Sequence, residues 1–131
     1  MKNIFILSCI LLSSFSFKLY AAEPTCQFSS AGNWYCQYSG TVDRIYVNSG
    51  NMILLYFDTC FQQTTLDASA SNGLTFNQRC AASIPLTDNP DFAKLFYSTA
   101  LSAQASKRNV TIQMRGTHSS YVKMDRIWLA Q

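Results

Sequence analysis

The chain has 131 residues, with ten basic and seven acidic side chains, one histidine and a formal net charge of +3. That length is room for one domain with one core, not two. So small a charge excludes the basic footprint of a nucleic-acid binder, and no nucleic-acid partner is expected.

Met1-Lys2-Asn3 is followed by an uncharged apolar run from Ile4 to Phe17 and by the small pair Ala21-Ala22 before Glu23 and Pro24. A short basic start, an apolar stretch and small residues ahead of a polar break describe a secretory signal peptide. The run falls short of the roughly 20 residues that span a bilayer, and Lys18 closes it. Ile6-Leu7-Ser8-Cys9 has a faint lipoprotein cast, but cleavage there would cut the apolar run in half. Residues 1–21 are therefore expected to be removed and 22–131 to form one domain, secreted or periplasmic. Without Lys2 and Lys18 the balance becomes eight basic against seven acidic, a net of +1.

Four cysteines remain, Cys26, Cys36, Cys60 and Cys80. An even number in an oxidising compartment reads as two disulfides. Four cysteines allow three pairings. The expected one closes two local loops, Cys26–Cys36 and Cys60–Cys80. Their wide spacing and the single His118 argue against a metal site, which wants close pairs such as C-x₂₋₄-C.

Along the mature chain, Glu23 to Gly40 mixes polar residues with Phe28, Trp34, Tyr35 and Tyr38 and reads as an irregular arm or short strand. Thr41 to Asn48 is rich in β-branched residues and predicts a strand. Asn48-Ser49-Gly50-Asn51 is turn chemistry, and the apolar run Met52 to Phe57 predicts the second strand of a hairpin. Thr59 to Gln78 is a polar excursion with a turn at Asn72-Gly73. Arg79 to Ile84 predicts a third strand, stopped by Pro85.

One helix follows. Asp88 or Asn89 can cap it, Pro90 suits its first position, and Lys107-Arg108 close it where cations are favoured. Phe92, Leu95, Phe96, Thr99 and Ala103 are its expected apolar stripe. Val110 to Met114 alternates as a strand, Gly116 to Ser120 reads as a turn, and Tyr121 to Leu129 is the last strand. Its core candidates Val122, Met124, Ile127 and Leu129 change parity midway, which predicts a bulge or bend. Three strands, a helix and two strands is the element order of the OB-fold, a mostly β, five-stranded Greek-key barrel with one helix between strands 3 and 4.

No glycine-rich phosphate loop, H-E-x-x-H, G-x-S-x-G or C-x-x-C is present. His118 has no evident nucleophile or orienting acid, and the acidic residues are scattered. No enzyme and no cofactor is expected. What stands out is aromatic content: Trp34, Tyr35, Tyr38, Tyr46, Tyr56, Tyr97, Tyr121 and Trp128. Such rings offer flat apolar area with a polar edge. Trp34, Tyr35, Tyr38 and Ser39 are the candidate ligand-binding residues, with Arg44 or Lys107 available to add charge.

Tyr38-Ser39-Gly40-Thr41-Val42, the helix and the strand 109–115 resemble B subunits of bacterial AB5 toxins, of the subtilase-cytotoxin and pertussis-like branch. The resemblance implies an exported, disulfide-containing OB-fold that binds an extracellular glycan or glycoconjugate. It also implies assembly as a homopentamer and an exported enzymatic A subunit as partner. In that branch a serine beside a tyrosine near the first strand helps hold the sugar, which points to Tyr38 and Ser39. No cysteine follows Cys80, unlike that branch. Two other readings stand beside it: a periplasmic OB-fold protein binding a small ligand or envelope component, and a secreted protein-interaction or inhibitor module.

Overall fold

A computed structural model describes residues 22–28 and 34–130; the predicted signal segment 1–21 lies outside the described residues. Seven strands and two helices follow in the order β1 (Ala22–Phe28), β2 (Trp34–Gly40), β3 (Val42–Asn48), β4 (Met52–Phe57), α1 (Gln63–Ser71), β5 (Ala81–Pro85), α2 (Pro90–Ser106), β6 (Val110–His118) and β7 (Tyr121–Leu129). The strands form one open sheet, β1-β2-β6-β7-β5-β4-β3. Neighbours are antiparallel except β5 and β7, which run parallel.

All five predicted strands and the predicted helix are present and the protein is mostly β as expected, but the expected five-stranded barrel with one helix is corrected to one open sheet of seven strands with two helices. Within Glu23 to Gly40, expected as an irregular arm or short strand, β1 and β2 pair antiparallel, with Cys26 opposite Cys36 and the two joined as a disulfide. The second disulfide joins Cys60 to Cys80, as expected. Inside the loop it closes lies α1, which buries only Leu66 and Ser69 and has no side-chain N-cap. Neither periodicity nor capping marks such a helix in the sequence. β6 also extends through His118, so only Ser119 and Ser120 form the turn.

α2 starts as its residues dictate, with Asn89 accepting the Phe92 amide at 3.0 Å and Pro90 in the first turn. Its buried stripe is Ala93, Phe96, Ala100 and Ala103. Leu95, expected in that stripe, is 68% exposed instead. The alanines let the helix lie close to β3 and β7, which it packs against. Each large side chain so buried is worth about 1.5–3 kcal/mol.

The core is strung with aromatic rings. Tyr38 stacks on Phe57 at 4.3 Å between centroids, Phe57 meets Phe61 edge-on at 6.0 Å, and Phe61 meets Phe76 at 5.1 Å. The predicted bulge is there: Gln113 pairs with Arg126 but Met114 with Met124, so Asp125 is the extra residue. Beyond it the inward positions pass from Val122 and Met124 to Ile127 and Leu129, which pack against the core.

Candidate functional site

β-Strand alternation divides the four predicted ligand-binding residues between two faces. Tyr38 is fully buried, and Trp34, four residues earlier, is half-buried against the same core. Tyr38 is therefore not a platform for a ligand, and its expected role is corrected. Its hydroxyl donates to Asp58 Oδ1 at 2.7 Å, lies against the Thr41 carbonyl and accepts the Asp58 amide at 3.3 Å. Thr41 in turn donates to Asp58 Oδ2 from its hydroxyl at 2.6 Å and its amide at 3.1 Å. Burial pushes the Tyr38 hydroxyl pKa far above the usual tyrosine range, and the Asp58 carboxylate adds to it. For Asp58 partial burial works upward, but the donated hydrogen bonds from Thr41 and Tyr38 prevail and hold it below its ordinary value. This clasp fixes the joint at Thr41, the single residue between β2 and β3.

Tyr35 and Ser39 point the other way, onto the outer face of β1, β2, β6 and β7. The register sets them in transverse rows. Ser39 pairs with Thr111 and Thr111 with Trp128; Thr25 pairs with Gln37, Gln37 with Gln113 and Gln113 with Arg126. With strands about 4.8 Å apart, the four-strand row is about 15 Å across. Ser39 Oγ and Thr111 Oγ1 are 3.1 Å apart. The Tyr35 hydroxyl donates to Gln27 Oε1 at 2.7 Å, and the Arg115 guanidinium lies 6.0 Å from the Tyr35 ring centre. Asp125 anchors both local arginines, with Arg126 Nε at 3.2 Å and Arg115 Nε at 3.8 Å. Trp128 is 45% exposed at one corner, with Tyr35 near the opposite one.

Between the two rings sits Gln113, whose Oε1 is buried and has no hydrogen-bond donor among the described residues. A buried acceptor left unsatisfied costs about 1–3 kcal/mol, which turning the side chain outward to a hydroxyl donor would recover. Sequence reasoning found Tyr35 and Ser39 but not Thr111, Gln113, Arg115 and Trp128 as their partners. The alternation of β6 carried a signal, since its outward positions Thr111, Gln113 and Arg115 are all polar; which strand they adjoin is a matter of topology.

Lys107 is elsewhere, as the left-handed C-cap of α2, and Arg44 is on β3. Among the described residues no group of three His, Cys, Asp or Glu side chains could hold a metal ion, and no helix is long and apolar enough to cross a membrane. Comparison with protein-family models, curated proteins and solved structures returns no match.

Proposed function

We propose that the chain is an exported, non-enzymatic OB-fold module that binds a glycan on the outer face of β2, β6 and β7. The observation that carries this is the unsatisfied Gln113 Oε1 in a polar floor between the exposed ring of Trp128 and the half-buried ring of Tyr35. Saccharides have hydroxyl edges and apolar ring faces, and sites for them combine a few placed polar groups with aromatic area. Ser39, Thr111 and Gln113 supply the first; Trp128 and Tyr35 supply the second. The paired cysteines support export, with residues 1–21 removed as a signal peptide and 22–131 forming the module.

The OB-fold reading is supported by treating Trp34–Asn48 as one strand bent at Thr41. Its first half pairs with β6 and its second half with β4, so the bend brings the two flanks of the sheet together. Strand, strand, strand, helix, strand and strand then follow, with the third and fifth parallel, and β1 is an added edge. On this reading, and on the resemblance to AB5 toxin B subunits, the module forms a homopentamer that carries an exported enzymatic subunit. Leu95 at 68% exposed, Val47 at 52% and Leu101 at 44% are apolar side chains open to contact between copies.

A glycan array on the mature protein tests the binding. Ser39→Ala is expected to weaken it by about 1 kcal/mol, the scale of one hydrogen bond, and Trp128→Ala by at least as much. No binding to any sugar, or binding untouched by both substitutions, rejects the site. Light scattering that returns a monomer rejects the ring.

A further inference from the structure

The opposite flank of the sheet has an outer face of its own, made by β3, β4, β5 and β7. Arg44 pairs with Tyr56 and Tyr56 with Ala81, which lies beside Tyr121 because Ala82 pairs with Val122. In the next row Tyr46 pairs with Leu54, Leu54 with Ser83 and Ser83 with Lys123. Two small residues, Ala81 and Ser83, thus lie between larger neighbours. Leu54, Ala81 and Ser83 are buried although they are not members of the core cluster.

The chemistry of this face is specific. The Arg44 guanidinium carbon lies 4.1 Å from the Tyr56 ring centre, flat-on contact that holds the side chain in place. Tyr46 is 48% exposed. The register sets Tyr46, Tyr56 and Tyr121 on one outer face, where burial raises the pKa of the Tyr121 hydroxyl and the Tyr56 and Tyr46 hydroxyls add to it. Lys123 is engaged with Asp88 at 3.2 Å, whereas Arg44 makes no ion pair among the described residues. A stacked guanidinium keeps its N–H edge for an acceptor, and its planar fork matches a carboxylate, sulfate or phosphate.

We propose that Arg44, Tyr46, Tyr56 and Tyr121 form a second binding site, which takes a sugar bearing an anionic substituent. Arg44 receives the anion, Tyr46 offers its exposed ring to the sugar face, and the Tyr56 and Tyr121 hydroxyls meet ring hydroxyls. The ligand class rests on the glycan reading above, but the residues and the anion requirement are independent of it. The two faces lie on different flanks of the sheet, so one chain can engage two branches of a glycoconjugate.

Amide-resolved NMR titration of the mature protein tests this with four probes: glucuronate, galactose 6-sulfate, glucose 6-phosphate and neutral galactose. The expected result is shifts at Arg44, Tyr56, Ala81 and Tyr121 with at least one anionic probe, and the responding probe names the anion. Arg44→Gln should weaken that response about tenfold, the scale of a charge-assisted hydrogen bond, and Tyr46→Ala should weaken it too. Trp128→Ala should leave it unchanged. Shifts confined to Ser39, Thr111, Gln113 and Trp128 overturn this site and leave the first intact; shifts confined to the tyrosine face do the reverse. An equal response to neutral galactose, or one indifferent to Arg44→Gln, overturns the anion requirement and with it the proposal.

Discussion

The two outer faces are built from the same sheet but charge them differently. On the face of β2, β6 and β7 both arginines are tied to Asp125, leaving amide and hydroxyl groups to do the recognising. On the face of β3, β4 and β5 the arginine is held by a ring and its charge stays available. An aromatic neighbour positions a cation without neutralising it; a carboxylate does both. β7 serves both faces. Tyr121 and Lys123 serve one and Arg126 and Trp128 the other from different lengths of the strand, and the bulge at Asp125 keeps all four on the outer side.

That shared strand is where the comparison breaks most completely. Deleting Asp125 removes the extra residue and leaves the later side chains on their present sides, whereas inserting an alanine between Arg126 and Ile127 turns every later side chain to the opposite side. Trp128 then enters the core and Ile127 and Leu129 leave it. The expected cost of the insertion is about 4 kcal/mol or more, the range of exceptional single changes. Chemical denaturation should show it, and an insertion variant of near-normal stability would mean that the register beyond Asp125 does not set the two faces.

The disulfides separate the faces next. Cys60→Ala with Cys80→Ala opens the 20-residue loop that leads into β5, beside the tyrosine face. A loss of about 3 kcal/mol is expected in the chain-entropy model, and slightly less for Cys26→Ala with Cys36→Ala, whose loop is shorter. Hydrogen exchange should locate the first loss near Ala81 and the second in the hairpin under Tyr35. Loosening of the same amides in both variants would show that the faces unfold as one unit.

The clasp at Thr41 is the smallest lever and acts where the faces meet. Asp58 has a depressed folded-state pKa, so its contribution is fully present above the ordinary carboxylate value near 4 and is lost as pH falls through the lower folded value. Asp58→Asn should cost about 1–2 kcal/mol at neutral pH and flatten the acid limb of the stability curve. An acid limb identical to that of the unsubstituted protein would sink that assignment.

Much of this was legible before the fold was known. The turn at Asn48–Asn51, the Asn89–Pro90 helix start and the parity change in the last strand are all local signals, and each corresponds to a structural feature. The β1–β2 hairpin was not, because its strands alternate aromatic, cysteine and polar residues without an aliphatic face. α1 was hidden for a related reason: two buried positions and no capping side chain leave little pattern, and its place depends on the loop closed by Cys60–Cys80.

The sites divide along the same line. The sequence marked Trp34, Tyr35, Tyr38 and Ser39 as one aromatic and polar stretch, but strand alternation divides it, with Trp34 and Tyr38 on one side and Tyr35 and Ser39 on the other. Only the tertiary structure decided which set faces solvent, and which strands lie alongside. Ser39 and Thr111 are 72 residues apart in sequence and 3.1 Å apart in space, and Arg44 meets Tyr56 only through the β3–β4 register. A side chain's direction is set by the two-residue period of its own strand; its neighbours are set by backbone hydrogen bonds between strands, which carry no residue-specific mark in the sequence.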